Sequence, residues 1–232
     1  MLGPSNKFDP NTDIPDLSGK VYVITGGSAG IGFGIAAHIL QYNCERLYLM
    51  GKKEEHLEEA QEALKKYGDV RRVEFVQCDF ENLRRTDEVA QQLASSLGRL
   101  DALVLNAGLG VGPYGETTDG LDSHMQVNII AQHHLAMLLL PRLHATPGSR
   151  LCLQSSEVHR AGTGDIEFRD LAEINQDLGA SEIYARTKLA AVLLAKAFVR
   201  RKERGEYGLA PGEAPWVNAT HPGAVRTART GR

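Results

Sequence analysis

The chain has 232 residues, which suits one compact domain with a large core. Apolar residues make up 42%, charged residues 24%, and the formal net charge is -3. A nucleic acid or an anionic membrane therefore finds no electrostatic footprint to bind. The three cysteines, Cys44, Cys78 and Cys152, are far apart and lack metal-ligand spacing, so we read them as reduced core residues. Residues Met1 to Lys20 are polar, with Pro4, Pro10 and Pro15 and no apolar h-region. No stretch approaches about 18 apolar residues. The expectation is a cytoplasmic protein without a membrane span.

In chain order, strand and helix alternate. Val21 to Thr25 reads as a strand that ends in a glycine-rich turn, and Ile31 to Tyr42 as the helix after it. Arg46 to Met50 is the second strand. Glu54 to Tyr67 carries Leu57, Ala60 and Leu64 at helical spacing, with Gly68 just past its end. Val73 to Gln77 is the third strand, Glu88 to Leu97 a helix, and Ala102 to Leu105 the fourth strand. A long helix is predicted over Leu121 to Leu140, starting near Asp119 and stopping at Pro141. Arg150 to Gln154 is the fifth strand, Ile183 to Arg204 a second long helix, and Trp216 to Thr220 the sixth strand. This alternation predicts an α/β fold: one doubly wound domain whose parallel sheet is covered by helices on both faces. Ligands of such sheets bind beyond the carboxyl ends of the strands.

The turn Thr25-Gly26-Gly27-Ser28-Ala29-Gly30-Ile31-Gly32 joins the first strand to the first helix. Its glycines permit a tight turn and close approach to a pyrophosphate, and the helix start adds free N–H groups. The spacing TGxxxGxG departs from the simple GxGxxG pattern, and a glycine cluster alone is also compatible with a mere turn. Further motifs follow in order: Asn106-Ala107-Gly108 after the fourth strand, Asn128 within VNIIA, and Ser155-Ser156 after the fifth strand. Tyr184-Ala185-Arg186-Thr187-Lys188 (YxxxK) and Pro222-Gly223 after the sixth strand complete the series. Taken together, residues 18 to 228 resemble the short-chain dehydrogenase/reductase family. Ser156 lies 28 positions before Tyr184, a long separation that resembles the retinol-dehydrogenase-like branch. Gly162 to Ala180 would be that branch's insertion, a loop over the substrate pocket.

Tyr184 and Lys188 are four apart on a predicted helix, so both face one way. An ammonium there is expected to lower the phenol pKa and fit the tyrosine for proton exchange with a substrate oxygen. A hydroxyl from Ser156 would steady the developing alkoxide. The resemblance makes the second serine of the pair catalytic and Ser155 its structural neighbour. It also implies that Asn128 holds a proton-relaying water linked to Lys188, and that Lys188 touches the nicotinamide ribose. The implied reaction is hydride transfer between NADP(H) and a carbonyl or alcohol carbon, with Tyr184 as general acid/base and no metal. His133 and His134 are adjacent on a helix and point apart, which argues against a shared metal.

The second strand runs into Gly51-Lys52-Lys53 with no acid at its end. An acid there would bind the ribose 2′-hydroxyl of NAD, whereas Lys52 suits a 2′-phosphate, helped by Ser28. These lysines could also simply begin a solvated helix. The resemblance places Asp79 at the adenine and Thr227 at the carboxamide, and adds Phe80 and Val225 to the cofactor contacts. Together with Gly26, Gly30, Ile31, Gly32, Asn106, Ala107, Gly108, Pro222 and Gly223 they form the expected cofactor set.

Residues 1–17 read as an N-terminal extension and 18–232 as the dinucleotide-binding domain. By the resemblance, the chain is expected to lack the family's C-terminal substrate-binding segment and last strand. The implied partners are a small hydrophobic carbonyl or alcohol substrate and, as the family's usual assembly, a second copy in a homodimer. Two other classes compete: a dinucleotide-binding regulatory protein without turnover, and a sugar-nucleotide epimerase or dehydratase. The intact Ser156, Tyr184 and Lys188 argue against the first, and the glycine spacing against the second.

Overall fold

The computed structural model describes residues 8–161, 166–208, 213–223 and Val225. Six strands form one parallel sheet: β1 (Val21–Thr25), β2 (Arg46–Gly51), β3 (Val73–Gln77), β4 (Ala102–Leu105), β5 (Arg150–Gln154) and β6 (Trp216–Thr220). Their spatial order is β3-β2-β1-β4-β5-β6. The order reverses between β1 and β4, which opens a crevice at their carboxyl ends. The connections are α1 (Gly30–Gln41), α2 (Glu54–Leu64), α3 (Leu83–Ser96), a broken helix and α7 (Ala180–Glu203). The broken helix comprises α4 (Ser123–Met125), a π-helical stretch Gln126–Ile130 and α5 (Ala131–His144). A short α6 (Leu171–Ile174) lies in the segment before α7.

Two apolar layers hold the sheet. On one face, Leu135, Leu139 and Leu143 of α5 recur every fourth residue, fully buried, and pack in one cluster with Val89, Ala90 and Leu93 of α3. Each such leucine stabilises the fold by roughly 1.5–3 kcal/mol through its burial. On the other face, Ala36, Ala37 and Leu40 of α1 cover Ile24, Leu47 and Leu49. Leu17 packs against this second cluster, and its N–H donates to the Tyr42 carbonyl (2.7 Å). Cys44 and Cys78 are buried free thiols, and Cys152 is half-buried. None of the described helices is long and apolar enough to cross a membrane.

Several boundaries differ from the sequence reading. Helix α3 begins at Leu83, ahead of Glu88, because the Asn82 carboxamide oxygen accepts from the Arg85 N–H (2.9 Å). The helix expected near Asp119 begins at Ser123, capped by Asp122, whose Oδ1 accepts from the Met125 N–H (2.7 Å). Asp119 instead accepts from the Leu83 N–H (2.9 Å) and the Gln126 amide (2.7 Å). Helix α5 runs through Pro141 to His144, since Leu143 is drawn into the core and proline forfeits one backbone bond. Double coverage of the sheet fails at β6, where Trp216 is 51% exposed. The reason is position: β6 ends the strand order, and no strand flanks it on its far side among the described residues.

Candidate active site

All six strands run in the same direction, so their carboxyl ends share one edge. Gly26 and Ser28 follow β1 there, and Gly30, Ile31 and Gly32 open α1. Gly26 has φ 63°, a left-handed conformation that a side chain would strain. Gly32 is needed for space: a Cβ on it would stand 2.2 Å from the Gly26 carbonyl oxygen. Ala29, at the N-cap of α1, makes no side-chain cap, and the first turn carries no acid. The donors and partial positive charge at that helix start are left for a ligand. A cradle of this shape, closed to side chains and lined with unspent N–H groups, fits a dinucleotide pyrophosphate.

The motif after β4 is tied to this turn by Thr25, a motif residue with no role assigned from sequence. The Thr25 hydroxyl accepts from the backbone N–H groups of Asn106 and Ala107 (both 2.9 Å) and donates to Gln132 Oε1 (2.9 Å). The Asn106 amide donates to the carbonyls of Thr25 (3.1 Å) and Gly26 (3.2 Å). Gln132, 1% exposed on α5, also donates to the Val127 carbonyl (3.2 Å). Its signal was present only as a polar residue four positions, about one helical turn, after Asn128.

Asn128 sits in the π-helical stretch, where the widened turn offers its amide to neighbouring segments. Its Oδ1 accepts from the Leu109 N–H (2.7 Å), while its amide donates to the Leu109 carbonyl (3.1 Å) and the Thr187 hydroxyl (3.0 Å). Asn128 thus clamps the loop after Gly108 to α7. Gly108 lies close by; a Cβ on it would be 3.0 Å from Asn128 Oδ1.

Ser156 follows β5 and caps a 3-10 turn, Glu157–Arg160, with its hydroxyl 3.5 Å from the Val158 N–H. Ser155 is buried, and its hydroxyl donates to the Lys188 carbonyl (2.8 Å), pinning the end of β5 to α7. Tyr184 is half-buried on α7. The Lys188 ammonium lies 5.4 Å from the Tyr184 ring centre and donates to the Gln154 carbonyl (3.0 Å). Lys188 is 7% exposed, and burial brings its pKa down to about 8. Burial also raises the Tyr184 pKa above its ordinary value, opposed by a hydrogen bond from Ser156. This corrects the expectation that the ammonium lowers the tyrosine: removal from water dominates, and the opposing influence is the serine.

On the second side of the crevice, Lys52 follows β2, and Asp79 and Phe80 follow β3. Phe80 is buried, and its carbonyl accepts from the Gln126 amide (3.3 Å). Lys52 is half-exposed, pairs with Asp79 (3.1 Å) and forms a short contact with Glu81. The Glu81 hydrogen bond is the main reason its pKa is raised. Pro222, Gly223 and Val225 follow β6 in exposed positions. Thr227 lies outside the described residues, as do residues 162–165 of the expected insertion. His221, which the sequence reading missed, accepts from the Glu157 N–H through Nδ1 (3.2 Å) and so joins the loop after β6 to the loop after β5.

The rest of the insertion is built around Glu173 and Arg186. The Glu173 carboxylate accepts from the backbone N–H groups of Glu167 (2.7 Å), Phe168 (2.9 Å) and Arg169 (2.9 Å). Arg186, 1% exposed between Tyr184 and Lys188, donates to the carbonyls of Glu173 (2.8 Å) and Ile174 (2.6 Å). The described part of the segment expected to be a loop over the substrate pocket is therefore anchored to α7 and contains α6.

Comparison with known proteins agrees with this geometry. The family model for short chain dehydrogenase matches residues 20–164. An oxidoreductase of Neurospora crassa, bli-4, described as mitochondrial, is 39% identical over 226 residues, covering 93% of this chain and 54% of the relative. Retinol dehydrogenase 14 of Mus musculus is 31% identical over 236 residues, covering 97% of this chain and 67% of the relative. A Shigella flexneri protein described as a short chain dehydrogenase, solved in complex with NADP, superposes with a TM-score of 0.68 at 25% identity. That superposition covers 93% of this chain and 82% of the other. The chain spans about half the length of the Neurospora relative. Motif order, strand order and these likenesses coincide: the chain belongs to the short-chain dehydrogenase/reductase family, in its retinol-dehydrogenase-like branch.

Proposed function

We propose that this chain carries the catalytic centre of an NADP(H)-dependent oxidoreductase that interconverts a ketone or aldehyde and its alcohol. The observation that carries the reading is the grouping of Tyr184, Ser156 and Lys188 on the strand edge that also bears the uncapped glycine turn. The nicotinamide, when bound, would supply or accept the hydride. Gly26, Ser28, Gly30, Ile31 and Gly32 would take the pyrophosphate, and Asn106, Ala107 and Gly108 would wall the crevice. Asp79 and Phe80 would border the adenine, and Lys52 would meet the 2′-phosphate. Pro222, Gly223, Val225 and Thr227 would close the nicotinamide end.

With its pKa raised, Tyr184 holds its proton at neutral pH. That is the form needed to protonate a carbonyl oxygen during reduction; the same hydroxyl, deprotonated, would accept the proton of an alcohol. Ser156 donates a second hydrogen bond where negative charge develops. Lys188, held at the Gln154 carbonyl, brings positive charge to the phenolate once the proton has left. Asn128 positions the loop that faces these groups. The electrostatic share of such preorganised donors is commonly several kcal/mol.

A hydrophobic substrate is supported by exposed apolar side chains on the surrounding segments: Val111 after β4, Val158 after β5 and Leu171 on α6. The names of two relatives, retinol dehydrogenase 14 and the polyprenol dehydrogenase of Danio rerio, also describe enzymes of apolar alcohols. The test is fluorescence titration with NADPH and NADH, followed by turnover of apolar aldehydes and ketones. Tyr184→Phe is expected to lower kcat by roughly 10²–10⁴-fold while NADPH binding stays within a few-fold. Retained turnover in that variant would remove Tyr184 from the chemistry.

A further inference from the structure

The cleft beyond β2 and β3 is charged on both sides of the balance. It has a volume of about 410 Å³, and its lining includes Lys52, Lys53, Asp79 and Arg85, with Glu54 and Glu55 at the start of α2. Of the three cations, Arg85 already pairs with Glu88 (3.3 Å). Lys52 is held from two sides, by Asp79 and by Glu81. Lys53 forms no ion pair among the described residues. Counting Glu81, the acids at this cleft outnumber the bases, which is a poor electrostatic setting for a phosphate dianion.

Glu81 is not there by accident of a long, wandering side chain. Its own N–H donates to Asp79 Oδ1 (3.0 Å), a tight turn that brings both carboxylates to the same lysine. Phe80 between them is buried and anchors the turn against the core. A 2′-phosphate approaching Lys52 meets an ammonium already engaged, with a second anion beside it. Asp79 and Glu81 differ in consequence, because Asp79 borders the adenine that both cofactors share. Glu81 has no such shared partner, and its charge bears on the group that distinguishes them.

We propose that Glu81 sets how strongly the site discriminates NADP(H) from NAD(H), by occupying the Lys52 ammonium that a 2′-phosphate requires. This rests on the reading that Lys52 meets the 2′-phosphate. Glu81 then acts as a brake: it weakens a preference for NADP(H) that an unpaired lysine would make stronger. The amide of Glu81→Gln can still accept from Lys52 but carries no charge to repel the phosphate.

The test is titration of the full chain with NADPH and NADH at low salt, where exposed charges are least screened. Wild type, Glu81→Gln, Lys52→Gln and Lys53→Gln are compared. Glu81→Gln is expected to tighten NADPH by about tenfold, a change of the size a single charge contact supplies. NADH should stay within about twofold of wild type. An unchanged ratio in Glu81→Gln, with preference lost in Lys52→Gln, overturns the role of Glu81 and leaves the cofactor reading standing. An unchanged ratio in both, with preference lost in Lys53→Gln, overturns both and moves the phosphate to Lys53. Equal tightening of NADPH and NADH by Glu81→Gln also overturns the proposal, because the effect would then lie at the shared adenine.

Discussion

The turns after β1 and after β3 both carry the chain from a strand into a helix, and they handle the helix start in opposite ways. After β3, the helix start is capped: Asn82 takes the Arg85 N–H, and Asp119 takes the Leu83 N–H. After β1, Ala29 offers no cap, and no acid follows in the first turn. A capped start stabilises its helix by about 1 kcal/mol. An uncapped start forgoes that, and a dinucleotide site needs the N–H groups left free. The difference teaches what a candidate binding junction offers that a capped one does not: a helix start with neither a side-chain cap nor an acid in its first turn.

Substitutions can break or sharpen the contrast. The largest effect should come from Gly32→Ala, whose Cβ would meet the Gly26 carbonyl oxygen at 2.2 Å. NADPH binding by calorimetry should be lost, and binding at wild-type strength would show that the turn relaxes freely.

The junction after β5 stores charge rather than free donors, and it predicts a pH dependence. Below about pH 8 the folded chain holds a charged Lys188 in a dry site, whereas the unfolded lysine keeps its proton up to its ordinary value of 10.5. Between these values the unfolded chain binds more protons, so stability climbs as pH rises. The cost is fully present below about pH 8 and is relieved on the way to 10.5. Lys188→Met should therefore raise Tm at pH 7 in the absence of cofactor and flatten its rise between pH 8 and 10.5. A wild-type Tm that falls across that window would contradict the buried charge.

Two smaller changes compare the junctions directly. Ala29→Asp supplies the missing cap at α1, so Tm should rise with a gain of about 0.5–1 kcal/mol. NADPH affinity should drop at the same time, by at least about tenfold, because a carboxylate then faces the pyrophosphate. A stable variant that binds normally would mean the α1 donors are not used. Asn82→Ala should cost about 1 kcal/mol in urea unfolding and leave NADPH binding unchanged. Any loss of binding there would erase the distinction between the two turns.

Much of this was legible in the sequence. Strands β1, β4 and β5 fall where their apolar runs between polar breaks put them, because a strand inside a parallel sheet is covered on both faces. Helix starts were harder to place. Asn82 and Asp122 cap α3 and α4, whereas Asp119, the expected start of the long helix, accepts from the Leu83 N–H of α3. The roles of Thr25, Gln132 and His221 escaped notice because their partners are distant in the chain, and a polar residue in a motif does not name its partner. The insertion's order was also hidden, since Glu173 and Arg186 meet backbone groups rather than each other's side chains.

The sequence by itself determined the order of strands and helices, the residues at each strand end and the kind of chemistry they allow. Periodicity and turn residues act locally, so they can be read from neighbours in the chain. Only the tertiary structure decided which charges meet and which groups leave water. Lys52 is an available cation in the sequence and a shared one in the fold, held by Asp79 and Glu81. Tyr184 looked acidified by Lys188, and burial instead raises its pKa above the ordinary value. Desolvation and ion pairing depend on what lies within a few ångströms in space, and for these residues that environment is assembled from segments far apart in the chain.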